Sequence, residues 1–73
     1  MDANQLEKHI KILLVQENCT LTELAERITN SFGRSESTQN IGNKLRRGSL
    51  RYIEASEIAE ALGYEIVWKK KAP

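Results

Sequence analysis

The sequence predicts an all-α protein: a compact four-helix domain over 1–64, then a short C-terminal β-strand and basic tail over 65–73. Three observations carry this. Four stretches repeat apolar residues at the three- and four-residue spacing of a helix. Each is bounded by a capping residue or a glycine. Only 65–69, with β-branched Ile66 and Val67 beside Trp68, reads as a short strand. The 73 residues, 40% of them apolar, suffice for one small core.

The first helix is expected at 3–17. Leu6, Ile10, Leu13 and Leu14 form its stripe, Asp2 caps its start, and Ile12 and Val15 broaden the apolar side. Asn18 and Cys19 interrupt the pattern. The second helix, 21–31, opens on Thr20 with Glu23 three residues later, the capping-box spacing. It buries Leu21, Leu24, Ala25 and Ile28, and ends before a turn in which Gly33 can take positive φ.

Ser37 caps a third helix at 38–47, with Ile41 and Leu45 inward and Gly48 as its stop. Gly42 inside that helix costs about 1 kcal/mol against Ala, so close packing or close approach of a ligand is expected to offset it. A fourth helix at 52–62 turns Ile53, Ile58, Ala59 and Leu62 inward and Glu54, Glu57 and Glu60 outward, with Gly63 as its left-handed cap. One strand at 65–69 is not a sheet. It pairs with another chain, pairs with an undetected segment, or lies as extended chain on the helices. The expectation favoured here is pairing with its own copy, in a homodimer burying Ile66 and Trp68.

Composition excludes several classes. No apolar run approaches the roughly 20 residues of a membrane span. Met1-Asp2-Ala3-Asn4 lacks the basic-then-apolar opening of a secretion signal, so a cytoplasmic chain is expected. Cys19 stands alone, so no internal disulfide forms. With His9 it supplies only two soft ligands where structural zinc wants four. His9 is expected on the surface and Cys19 as a small apolar filler at a turn. No nucleophile–base pairing or phosphate-cradling glycine loop is present, so neither catalysis nor a cofactor is expected.

The net charge of +1 hides a segregation. Residues 1–33 carry three cations against five anions, residues 34–51 five against one, and residues 52–73 three against four. The basic charge is therefore concentrated around the third helix. Local field of this kind suits phosphate binding whatever the total charge.

Thr20-Leu21-Thr22-Glu23-Leu24-Ala25, a turn, Ser37-Thr38-Gln39-Asn40-Ile41, and then Ile58-Ala59-Glu60-Ala61-Leu62-Gly63 stand in an order and spacing that resembles the Cro/C1 (XRE-type) phage-repressor family of helix-turn-helix DNA-binding domains. The resemblance spans roughly residues 6–63. The chain also resembles short bacterial single-domain helix-turn-helix proteins with an Asn-Ile-x-Asn-Lys-Leu-x-Arg-Gly third helix. Two intervals are longer than in the common repressor form, Thr29 to Glu36 and Ile41 to Gly48.

The resemblance implies that the third helix enters the major groove of double-stranded DNA, the role of a small transcription regulator. Carried over by position, Thr38, Gln39, Asn40, Asn43 and Lys44 would contact base edges. Asn and Gln bond adenine in bidentate fashion, and a Thr methyl touches thymine. Ser37, Arg34, Arg46, Arg47 and Arg51 would contact phosphates. The plainer account is a capped polar surface helix whose arginines favour its C-terminal dipole. A protein-interaction adaptor gripping a partner with the long turn and third helix is the alternative from another class.

Overall fold

A computed structural model of the chain describes residues 3–33 and 35–72. The expected cap Asp2 and the expected phosphate contact Arg34 lie outside the described residues. The fold is all-α, with α1 (Ala3–Gln16), α2 (Leu21–Phe32), α3 (Thr38–Arg47) and α4 (Tyr52–Ala61). α2 packs on both α3 and α4, and α1 lies against α3. No helix of the described residues is long and apolar enough to cross a membrane.

Each helix begins and ends for a local reason. The Thr20 side chain accepts from the Glu23 N–H at 3.1 Å, while the Thr20 N–H donates to the Glu23 carboxylate at 3.3 Å, completing the capping box at α2. The Ser37 hydroxyl accepts from the Asn40 N–H at 3.1 Å and starts α3. α1 ends in a Schellman closure: Cys19 N–H reaches Leu14 C=O at 2.9 Å, and Asn18 N–H reaches Val15 C=O at 3.1 Å. Asn18 supplies the positive φ this closure requires, 52°. The interruption at Asn18-Cys19 is thus a helix stop, and Cys19 is buried as expected. At α3 the same closure uses Gly48, with φ of 68°, and Ser49 N–H donates to Lys44 C=O at 3.0 Å.

The core gathers Ile10 and Leu14 of α1, Leu24, Ala25 and Ile28 of α2, Ile41 and Leu45 of α3, and Ile58 and Leu62 from α4 and its end. Leu24, Ile28, Ile41, Leu45 and Ile58 are the large side chains sealed at its centre. Ile12 and Val15 are exposed, contrary to expectation. At about 100° per residue, Ile12 stands roughly opposite Ile10, so it cannot share the buried stripe. On α4 the expected orientation of two neighbours is reversed: Ile53 is exposed and Glu54 is only 5% exposed. The buried row is Glu54, Ile58 and Leu62, spaced four apart, whereas Ile53 lies five residues from Ile58 and falls off it.

Most of the extra length between Thr29 and Glu36 is helix, because α2 continues to Phe32. Gly33, with φ of 66°, then turns the chain. The Thr29 hydroxyl donates to Ala25 C=O at 3.0 Å and accepts from Glu36 N–H at 3.2 Å, pinning the returning segment onto α2.

The expected strand is absent: residues 64–70 have no regular secondary structure, and no strand occurs among the described residues. Backbone hydrogen bonding there ends at Tyr64 N–H to Ala59 C=O, 2.8 Å. A lone strand-like segment has no ladder to join. The segment instead runs back without regular structure beside α1 and α4. Tyr64 donates its hydroxyl proton to the Glu17 carboxylate at 2.7 Å, just past the end of α1. Ile66 lines an apolar groove with Leu6, Ile10, Ala55 and Ala59. The Trp68 indole N–H reaches the Tyr52 hydroxyl at 3.2 Å, at the start of α4.

Candidate nucleic-acid interface

α3 is a two-faced rod. Ile41 and Leu45 are buried on one side. Opposite them, at about 100° per residue, fall Gln39, Asn40, Asn43, Arg46 and Arg47. Gln39, Asn40, Arg46 and Arg47 are exposed, and Asn43 is half-buried. The Arg46 guanidinium donates to the Asn43 side-chain oxygen, so an amide and a cation are presented together. Gly48 ends the rod directly after the two arginines, leaving their side chains at its C-terminal edge.

Two expected base contacts stand on the flanks instead. Thr38 is half-buried, and its hydroxyl donates to the Thr22 hydroxyl at 3.1 Å, joining the starts of α2 and α3. Lys44 turns towards α4, where its ammonium pairs with the Glu54 carboxylate and lies 3.8 Å from that of Glu36. Glu54 also accepts from Arg51, at 3.0 Å from the backbone N–H and 3.4 Å from Nε. The Lys44 hydrogen bond, followed by the Arg51 amide, holds the Glu54 carboxyl down to about 2, against burial, which pushes the other way. Lys44 thus fastens α3 to α4 and to the segment before α3.

The start of α3 carries its own anion. Glu36 accepts from the Ser37 N–H at 3.1 Å, and the Ser37 hydroxyl is occupied by Asn40. A shallow groove between α2 and the start of α3 is lined by Glu26, Glu36, Thr29 and Asn30. Among the described residues, the positive groups flanking α3 therefore concentrate at its exit. Arg51, just beyond it, keeps its side chain 78% exposed while Nε touches Glu54.

No family model, curated protein or solved structure matches the chain. Of the residues expected to contact bases, Gln39, Asn40 and Asn43 share the outer face with Arg46 and Arg47, and Thr38 and Lys44 are engaged by neighbouring helices. Ile66 and Trp68, expected in a dimer contact, are both exposed in the single chain. Sequence reading missed Glu54. Its signal was present, since Glu54 stands three residues after Arg51, where a carboxylate reaches back to the first free amide, and four before Ile58. His9 is exposed as expected. Among the described residues no group of three or more His, Cys, Asp or Glu side chains is placed to hold a metal ion.

Proposed function

We propose that the chain binds double-stranded DNA through the outer face of α3, in the manner of a small transcription regulator. The observation supporting this most directly is that Gln39, Asn40 and Asn43 share one solvent-facing side of a helix with Arg46 and Arg47. Amides of this kind bond the major-groove edge of adenine. The two arginines and Arg51, at the exit of α3, hold backbone phosphates there. Thr38 and Lys44 serve by fixing the helix: one ties its start to α2, the other its middle to α4. The resemblance to Cro/C1-type domains points the same way.

Duplex binding measured by fluorescence anisotropy over a range of salt tests the proposal. Affinity for random duplex falls steeply with salt, and Arg46→Ala with Arg47→Ala lowers the log–log salt slope by about 2 and weakens all sequences alike. Gln39→Ala leaves that slope unchanged and relaxes preference at particular base pairs, each worth roughly 1–3 kcal/mol. Weak binding that is indifferent to salt would instead favour the protein-adaptor reading.

A further inference from the structure

Trp68 is 83% exposed and Tyr52 56% exposed, although the two rings touch, with centroids 6.0 Å apart and a tilt of 35°. Burying a large aromatic is worth several kcal/mol of transfer free energy, yet the core takes neither ring. Their contact has a second effect. It joins residues 16 apart in the chain, tying the aromatic pair to the run Lys69, Lys70 and Lys71 that follows Trp68 directly. Among the described residues, the backbone of 65–72 makes no backbone hydrogen bond, so this arm can follow a ligand without breaking a ladder.

We infer that this aromatic–basic arm is a second nucleic-acid site, which takes a single strand with unpaired bases. Trp68 offers a flat face on which a base stacks, Tyr52 holds the indole by its N–H, and the three lysines follow the phosphates. An unpaired strand is the occupant because bases inside a duplex are already stacked and cannot lie on an indole. This site goes beyond the duplex reading of α3 and does not depend on it.

Trp68 is the single tryptophan, so its emission reports the site directly. Titrating the full chain with a short oligo-thymidine strand at low salt quenches that emission, and the matching thymidine–adenine duplex does not. By anisotropy of a labelled strand, Trp68→Ala weakens single-strand binding roughly 5- to 150-fold. Replacing Lys69, Lys70 and Lys71 with Ala lowers the log–log salt slope by about 2. Gln39→Ala leaves single-strand binding untouched, so failure of the arm and failure of the α3 reading register separately. The inference is overturned if the strand leaves the emission unchanged, if duplex quenches it equally, or if the emission shifts with protein concentration alone, which would assign Trp68 to self-association.

Discussion

Glu54 shows how one side chain sets the chemistry around it. A carboxylate sealed at a helix junction is costly unless paired and hydrogen-bonded, and Lys44 and Arg51 supply both. Glu54→Gln keeps the shape and removes the charge, with an expected loss of about 1–3 kcal/mol near neutral pH. The pH dependence has a definite sign. The carboxyl lies at about 2 when folded against an ordinary value of 4.5. Its stabilisation is therefore present above 4.5 and is lost as the pH falls through the folded value. Urea unfolding of wild type and Glu54→Gln over this range tests it: the gap between them is widest at neutral pH and closes towards pH 2. A gap that stays constant excludes the pairing as its source. Tyr64 is affected in the opposite sense, because the Glu17 carboxylate accepting its proton raises its pKa above the usual phenol value.

The helices differ in what their glycines do, and α3 contains both kinds. Gly48 closes the helix with φ of 68°, where an L side chain is strained, so Gly48→Ala costs about 1–2 kcal/mol. Gly42 is mid-helix, and a Cβ added there meets Leu21 Cδ2 at 3.6 Å, an ordinary contact. Of the two reasons expected for Gly42, close packing or close approach of a ligand, the first is not what the structure contains. Gly42→Ala raises stability by about 0.5–1 kcal/mol through helix propensity alone, and thermal melts of the two variants move in opposite directions. At this scale the sequence was most legible. Thr20 with Glu23, Ser37, Gly33, Gly48 and Gly63 mark the ends of helices because capping is a local bond between near neighbours. The faces of α1 and α4 were less legible. Ile12, Val15 and Ile53 satisfy composition but not angle, and only a partner helix decides which side is covered. The expected strand failed for the same reason: β-branched and aromatic residues describe a segment that could pair, and pairing needs a second segment.

Across the whole molecule, four short helices share one core, so damage at its centre is not local. A chain of this length has roughly 4–11 kcal/mol of stability at the usual 0.05–0.15 kcal/mol per residue. Leu24, wholly inaccessible, sits on the helix that packs against both α3 and α4. Leu24→Ala removes about 2–5 kcal/mol, a large share of that total. Circular dichroism then registers cooperative loss of all four helices rather than melting of α2 alone. The site was half legible at this scale. Gln39, Asn43 and the arginines follow from helical periodicity, whereas the diversion of Lys44 into the α3–α4 junction depends on a carboxylate ten residues away.

The corner between α1 and α2 has a practical consequence. Cys19 seals that corner from beneath, its Sγ–H directed at the Thr20 carbonyl 3.4 Å away. Only an exposed thiolate attacks an alkylating reagent and displaces its halide, so modification must wait until the two helices part. The speed at which iodoacetamide modifies the native protein is thus a stopwatch for breathing at this joint, readable by mass spectrometry without any engineered label.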